Sequence, residues 1–488
     1  KGNLWISVLN ELKNDPKRQE EINKREIKCQ KNQSLRYYDK IYGEPNPNEG
    51  YALFICLHGG GSGTAQMNDS QWHDIIPFLN NGFINGTIAV APRGITNTWN
   101  LHFVDETFPA LVRLIENYII FFEVDPNRVY LIGFSAGGDG VYSLSERIPF
   151  MLAACSPQGG HPNGIPTLNL SNLPIYLAVG ENDSAFNRNK VAVEYYNQIM
   201  KQNGKYCGNY VAKCEVVGGS PHSFQCWRTP RKSYFNGEKN LSSTNETAFT
   251  FMYSHRRNPM PTKLTIDVKT WITPLRNYYS ERGNTFYNVE VGKNRPEKIQ
   301  LEVDYNNNSV IIKEGTNFKI NFNSIAFKGG NIISVTEVGK TPYKVRLQCD
   351  DNYAVRNMRL YCDPNYGFDS YIIIGNFDAE TNQSGIPQPA QKIQENVNSN
   401  MLPNKGYPNN QMNPNYQIHP NNEYNQRYPN YQYNQGYQNI QYNQGQSYYP
   451  NNNMGFQRHV GYPNNQGIGG YPNQGYINYN TRFGGYGP

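Results

Sequence analysis

Short apolar segments alternate with segments of helical period between residues 51 and 217. The apolar segments are residues 51–57, 87–91, 129–134, 151–155, 175–179 and 214–217. The helix-period segments are residues 71–80, 108–122, 137–147 and 187–202. Continuous apolar strands that alternate with helices form a mostly parallel sheet with helices on both faces. The alternation therefore predicts an α/β protein.

The rest of the chain divides by composition. Residues 1–28 are charged and predict an N-terminal helical extension before an α/β domain at 29–285. Short β-type runs at 286–378 predict a small antiparallel accessory domain. Residues 379–488 repeat strings such as GYPNNQ and lack apolar runs, so we expect a disordered tail. Tyrosine and amide side chains favour self-association of this tail, but an inert spacer fits its composition equally well.

Charge and hydropathy exclude several classes of partner. The net charge is +6 over 488 residues, and Lys and Arg are scattered among acidic residues. This distribution predicts neither nucleic-acid nor membrane-surface binding. No run approaches the roughly 18 apolar residues of a membrane span, so we expect no membrane-spanning segment. The absence of a signal-peptide pattern favours a cytoplasmic over a secreted location.

The eight cysteines contain no CxxC pair, which disfavours a zinc or thioredoxin-type site. We therefore predict no metal and no cofactor. Cys207 with Cys214, or Cys349 with Cys362, are possible disulfides if the protein is exported, and their spacing alone does not decide.

Ser135 is the candidate nucleophile. It lies in the string GFSAGGDG, between the apolar segment at 129–134 and the helical segment at 137–147. A G-x-S-x-G pattern between a strand and a helix is typical of a nucleophile elbow, in which small flanking residues permit a sharp turn. The context favours a nucleophile over a simple glycine turn.

The string HGGGSG at 58–63 is the candidate oxyanion loop. Glycines after a strand bring backbone N–H groups close to a substrate, and this HGGG type accompanies elbow serines. We expect donors from Gly60 or Gly61 together with Ala136. His58 is expected to anchor the loop rather than act as a base. A phosphate-binding loop is disfavoured because the Lys-Ser/Thr ending is missing.

Asp183 and His222 are the candidate acid and base. Asp183 follows the segment at 175–179, and the chain order Ser, acid, His is that of elbow hydrolases. Glu181 is the nearer rival acid, and Asp139 is treated as a support residue in the elbow helix. His222 lies on a Gly/Pro loop after the last predicted parallel strand, from which an imidazole reaches the serine.

Further candidates for the pocket follow other strands at the same sheet edge. His58, His102 and His161 lie on such loops, where ligands bind in open α/β sheets. Trp72 and Trp99 are candidates for an apolar wall. For the histidines a bracing role, and for the tryptophans core packing, are the open alternatives.

Several strings together resemble a known family. LFICLHGGGSG, NDSQW, APRGITNTWNLH, VDPNRVYLIGFSAGGDGVY, GGHPN and GENDSAFNRNK resemble serine α/β-hydrolases near the dienelactone-hydrolase, carboxylesterase and polyhydroxybutyrate-depolymerase-like enzymes. The resemblance covers about residues 35–279 and, more faintly, the β-rich domain. It implies an α/β-hydrolase fold with Ser135, Asp183 and His222 as the triad. Ser223 and Phe224 follow His222 where the family commonly has an aromatic residue directly after the base.

The sequence thus predicts a serine hydrolase that cleaves small-molecule or polymeric carboxylic esters through an acyl-enzyme. Two alternatives stay open: a serine peptidase on the same triad, and a scaffold protein that assembles through its low-complexity tail.

Overall fold

A computed structural model describes residues 2–29, 32–224, 231–238, 240–271, 284–377 and 391–392. The chain divides into two units, residues 1–431 and 432–488, and every described residue belongs to the first. Apart from residues 391–392, the predicted tail at 379–488 lies outside the described residues. No helix in the described ranges has the length and apolar character needed to cross a membrane.

The helices are α1 (Gly2–Lys13), α2 (Pro16–Lys24), α3 (Ala65–Leu79), α4 (Thr107–Phe121), α5 (Ala136–Arg147), α6 (Arg188–Met200), α7 (Ala248–Tyr253), α8 (Val268–Trp271) and α9 (Asp351–Tyr361). The first ten strands are β1 (Glu26–Lys28), β2 (Ser34–Tyr42), β3 (Tyr51–Leu57), β4 (Thr87–Pro92), β5 (Val124–Phe134), β6 (Ala154–Gln158), β7 (Ile175–Gly180), β8 (Ala212–Val217), β9 (Arg231–Phe235) and β10 (Ser242–Thr244). The later strands are β11 (Lys263–Asp267), β12 (Asn284–Phe286), β13 (Val289–Val291), β14 (Lys298–Asp304), β15 (Ser309–Glu314), β16 (Phe318–Phe322), β17 (Ile332–Glu337), β18 (Tyr343–Arg346), β19 (Ser370–Ile374) and β20 (Gln391–Lys392).

The largest sheet has ten strands in the order β1-β2-β4-β3-β5-β6-β7-β8-β9-β10. Strands β4, β3, β5, β6, β7 and β8 are parallel, and the two strands at each end pair in antiparallel fashion. Both faces of the central strands are buried, which is why these strands are continuous apolar runs instead of alternating ones. The predicted α/β-hydrolase fold, with a mostly parallel sheet flanked by helices, is confirmed.

Two smaller sheets form the C-terminal region. One has six strands in the order β11-β14-β15-β17-β18-β20, and the other has four in the order β12-β13-β16-β19. Strand β11 lies before the predicted boundary at residue 285 but pairs with β14, so the β-rich region begins upstream of that boundary. Strands β15 and β17 are parallel, in contrast to the expected antiparallel arrangement. The chain between them crosses over through β16, which belongs to the other sheet.

Buried ion pairs join the N- and C-terminal segments to the α/β domain. Arg18 of α2 bonds to Glu116 and Asn117 of α4. Arg257, which precedes β11, forms an ion pair with Asp363, and both side chains are almost fully buried. Breaking one partner of such a pair leaves a buried charge uncompensated, which makes these contacts strong constraints on how the segments dock.

The seven described cysteines are free thiols, Cys207, Cys214, Cys349 and Cys362 among them. Neither of the disulfides considered from the spacing is therefore formed in this structure.

Candidate active site

Ser135 lies in a sharp turn between the end of β5 and the start of α5. Its backbone has φ 58° and ψ −121°, a conformation that non-glycine residues rarely adopt. The Ser135 N–H donates to the carbonyl of Gln158 on β6 at 2.8 Å, which fixes the turn against the neighbouring strand. The side chain stands at the N-terminus of α5, where the helix dipole favours negative charge.

Gly133 and Gly137 are required by close backbone contacts around this turn. A Cβ on Gly133 would lie 2.3 Å from the Gly137 carbonyl oxygen, and one on Gly137 would lie 2.1 Å from the carbonyl oxygen of Leu57. Both distances are far below van der Waals contact. The glycines of the motif therefore allow α5 to approach β3 and β5 closely enough to present Ser135.

His222 connects the serine to a carboxylate. Its Nε2 lies 3.0 Å from Ser135 Oγ, and its Nδ1 lies 2.6 Å from Asp183 Oδ2. Asp183 is buried at 2% exposure, and its Oδ1 lies 3.6 Å from Arg188 Nη1. The His222 ring also contacts the ring of Phe134, at 5.1 Å between centroids. The three residues thus form one hydrogen-bonded chain.

The two rival carboxylates have other partners. Glu181 Oε2 accepts from the Gly219 N–H at 2.6 Å and so fixes the loop that carries His222. Asp139 accepts from the His161 N–H at 2.6 Å and from Asn163 Nδ2 at 3.3 Å. Burial raises the pKa of Asp139, which these hydrogen bonds partly offset. Neither carboxylate contacts His222 in the described structure.

The glycine loop after β3 is fixed by Asn68, a residue that the sequence analysis did not single out. Asn68 Oδ1 accepts from the Gly61 N–H at 3.0 Å, and Asn68 Nδ2 donates to the Gly61 carbonyl at 3.0 Å. Gly60 and Gly61 have φ of 111° and 120°. A Cβ on Gly60 would lie 2.2 Å from Asn68 Oδ1. Glycine at this position therefore lets the Asn68 side chain reach the loop.

The N–H groups of Gly60 and Ala136 lack hydrogen-bond acceptors in the described residues, unlike the N–H group of Gly61. Within the described part of the chain, the Gly60 N–H has no acceptor. Ala136 is the first residue of α5, so its N–H lacks an intrahelical partner. These two groups remain available to a ligand, whereas the Gly61 N–H is engaged by Asn68.

His58 and His102 form a buried pair beneath the loop. The Gly94 N–H donates to His58 Nε2 at 3.0 Å, and His58 Nδ1 lies 2.6 Å from the Gly59 carbonyl, a pattern that requires neutral imidazole. His102 Nε2 bonds to the His58 carbonyl at 2.8 Å. Burial lowers the pKa of His58 to about 4 and holds the pKa of His102 well below its ordinary value. Both are bracing residues under the glycine loop.

Acid should therefore destabilise the protein through these two histidines. Unfolded histidine titrates near 6.5, so the unfolded state binds more protons and stability falls as pH drops below that value. A fall in pKa from 6.5 to about 4 for His58 alone amounts to about 3 kcal/mol by pH 4. We expect the free energy of unfolding in urea to decrease from pH 7.5 to 5. The decrease should be smaller in His102→Gln and unchanged in His73→Asn, which alters an exposed histidine. If the free energy of unfolding depended on pH equally in the parent, His102→Gln and His73→Asn, the buried histidines would not be the cause.

Of the remaining predicted pocket residues, one is buried in the core and two are exposed or partly exposed. Trp72 lies on the buried face of α3, and its Nε1 donates to the Ala91 carbonyl of β4 at 2.7 Å. It is therefore a core residue and not a pocket wall. Trp99 is 59% exposed and lies against Gly61. His161 is partly exposed at the same sheet edge, and its Nδ1 contacts Asn163.

Comparisons with known proteins find esterases among the proteins that are similar to this chain. No protein-family model matches it. The bifunctional acetylxylan esterase/xylanase XynS20E of Neocallimastix patriciarum is 28% identical over 155 residues, which make up 31% of this chain and 22% of that protein. This chain therefore spans less than a quarter of the length of that relative.

Several solved structures are similar to part of this chain. A thermostable esterase is 21% identical at a TM-score of 0.31, over 40% of this chain and 54% of its own. LpqC, a poly(3-hydroxybutyrate) depolymerase from Bordetella parapertussis, is 21% identical at a TM-score of 0.28, over 39% of this chain and 78% of its own. A putative dipeptidyl aminopeptidase IV from Bacteroides ovatus is 16% identical at a TM-score of 0.31, over 40% of this chain and 32% of its own. The α/β-hydrolase fold follows from the strand order of the sheet and from the elbow at Ser135. The chain has the α/β-hydrolase fold, and the proteins similar to it include esterases and this putative peptidase.

Proposed function

We propose that this chain is a serine hydrolase of carboxylic esters with Ser135, His222 and Asp183 as its triad. The observation that carries the proposal is the position of His222, with one ring nitrogen 3.0 Å from Ser135 Oγ and the other 2.6 Å from Asp183 Oδ2. A nucleophile within hydrogen-bond reach of a base, and a base oriented by a third group, are the recognised signature of an activated serine.

Acylation begins at Ser135. His222 Nε2 takes the hydroxyl proton as Oγ attacks the ester carbonyl, and the imidazolium then gives that proton to the departing alcohol. Asp183 accepts from Nδ1 and keeps the second proton there, so that Nε2 is the free base before attack. A water molecule, activated by the same nitrogen, then releases the acid from the acyl-enzyme and restores Ser135.

The tetrahedral intermediate needs donors for its oxyanion. We assign this role to the N–H groups of Gly60 and Ala136, because the Gly61 N–H already donates to Asn68. Asn68 acts as a positioning residue, and its Nδ2 also bonds to Asn97, which accepts from the buried Arg93. Donors fixed before the reaction stabilise developing charge without reorganisation in the transition state.

The similarity to part of a protein named as a bifunctional acetylxylan esterase/xylanase supports an ester in preference to an amide as substrate. The test is a side-by-side assay of p-nitrophenyl acetate and its amide counterpart, p-nitroacetanilide. We expect turnover of the ester with the anilide at background. Anilide cleavage at a comparable kcat/KM would replace the esterase by a peptidase, and failure to cleave either substrate would remove the proposed function.

A further inference from the structure

Two exposed aromatic side chains face one another in the described structure. Trp99 is 59% exposed and Phe186 is 63% exposed. Among the Phe and Trp side chains whose exposure the structure describes, these two are the ones more than half exposed. Their ring centroids are 6.2 Å apart and the ring planes are inclined at 66°, although they come from loops 87 residues apart in the chain. Their pairing therefore leaves two apolar faces open to solvent at one place.

This aromatic pair adjoins the triad and the glycine loop. A Cβ on Gly61 would lie 2.7 Å from Trp99 Cε3, so the indole rests directly on the glycine loop. A Cβ on Gly59 in the same loop would lie 3.5 Å from Ser135 Cβ. Phe186 lies three residues after Asp183, on the loop between β7 and α6. Phe186 thus lies on the loop that carries Asp183, and Trp99 lies against the glycine loop.

The backbone at Phe186, whose side chain is exposed, has a strained conformation. Phe186 has φ 55° and ψ 21°, and Asn187 has φ 56°. Asparagine tolerates the left-handed region, whereas a bulky aromatic residue rarely adopts it. Strain of this kind persists where the surrounding structure enforces it and is concentrated at ligand-binding sites.

The charged groups beside Phe186 face one another. The Arg188 guanidinium lies 4.9 Å from the Phe186 ring centroid, but it is largely buried and its charge faces Asp183 at 3.6 Å. The loop beside Trp99 carries uncharged polar groups, with the Thr98 hydroxyl bonded to the Thr96 hydroxyl and to Asn100. A charged ligand would find no free counter-charge among these residues.

We propose that Trp99 and Phe186 form a subsite for a neutral six-membered ring carried by the ester substrate. One ring face stacks on the ligand while the inclined second ring contacts its edge, an arrangement that aromatic pairs favour. An aromatic acyl group presents a flat ring face, and an acetylated pyranose presents the C–H groups of one face of its chair; both are neutral six-membered rings. This inference rests on the proposed esterase function and adds the substrate class to it.

The experiment compares two pairs of esters matched for size. Methyl 3-phenylpropionate is set against methyl nonanoate, and tetrahydropyran-4-yl acetate, a simple acetylated pyran ring, against hexyl acetate. In Phe186→Leu, which keeps apolar bulk but removes the ring, we expect the ratio of kcat/KM between ring-bearing and straight-chain ester to fall about tenfold in one pair, mainly through KM. The pair that responds identifies which kind of ring the subsite takes.

Two further variants control the measurement. Phe186→Tyr retains a ring and should restore the ratio to within about twofold of the parent, which separates ring recognition from a general disturbance of the loop. Ile84→Ala removes another side chain that is 52% exposed, just before β4, and should leave all four rates unchanged. Unaltered ratios in Phe186→Leu would overturn the subsite while leaving the esterase intact. A parent protein that hydrolyses none of the four esters would instead disprove the proposed function itself.

Discussion

Replacement of Ser135 by alanine should abolish ester hydrolysis, with kcat/KM reduced about ten-thousandfold or more. The reason is that the Oγ atom, 3.0 Å from His222 Nε2, is the group that we propose to attack the carbonyl. Alanine leaves the imidazole with no proton to take and the substrate with no acyl acceptor. The measurement is hydrolysis of p-nitrophenyl acetate by Ser135→Ala and by the parent protein.

A fluorophosphonate probe gives the second readout, since it reacts covalently with activated serines. The parent should be labelled and Ser135→Ala should not. Ser70→Ala is the matched control, because Ser70 is an exposed serine of α3 and should be dispensable for labelling and for turnover. Circular dichroism establishes that all three proteins are folded. Parent-level turnover by a folded Ser135→Ala protein would refute the assignment of the nucleophile.

Replacement of Asp183 by asparagine should lower kcat about ten-thousandfold. Asp183 Oδ2 accepts from His222 Nδ1 at 2.6 Å, and the carboxylate therefore keeps the proton on Nδ1. An asparagine amide that donates to Nδ1 would stabilise the opposite tautomer, with its proton directed at Ser135 in place of a lone pair. The measurement is the single-turnover rate of acylation at saturating ester.

Glu181→Gln is the matched control for the acid, because both carboxylates belong to the loop after β7. Glu181 Oε2 accepts from the Gly219 N–H, and a glutamine oxygen retains that role. We expect Glu181→Gln to lose less than about tenfold in kcat, as a neutral acceptor replaces a charged one. If Glu181→Gln lost more activity than Asp183→Asn, the acid would have to be reassigned.

The central sheet was predictable because its strands are buried on both faces. Such strands are unbroken apolar runs, and the segments at 51–57 and 175–179 match β3 and β7 closely. Helix α9 was missed although Tyr353, Asn357 and Tyr361 repeat at helical spacing and lie buried on one face. Strand β11 was not predicted, because five residues of mixed polarity do not reveal which sheet they join.

In the candidate site, residues in local motifs could be predicted from the sequence, whereas residues that act through contacts made by the fold could not. The position of Ser135 follows from a local motif between a strand and a helix, and chain order narrows the acid and base to a few residues. Asn68 could not be found in this way, because its role depends on two glycines with positive φ that the fold brings against it. Trp72 and Trp99 look alike in sequence, and only the packing of α3 decides that Trp72 is a core residue.

The backbone of the elbow also limits which nucleophiles this scaffold can accept. Ser135 has φ 58° and ψ −121°, a conformation that is most strained for residues with a branched Cβ. Cysteine also has an unbranched Cβ, so the backbone of the elbow would accept Ser135→Cys. Threonine carries a second substituent on Cβ that crowds the backbone at positive φ. The elbow therefore admits sulfur in place of the Ser135 oxygen, whereas the apparently conservative change from serine to threonine would strain its backbone.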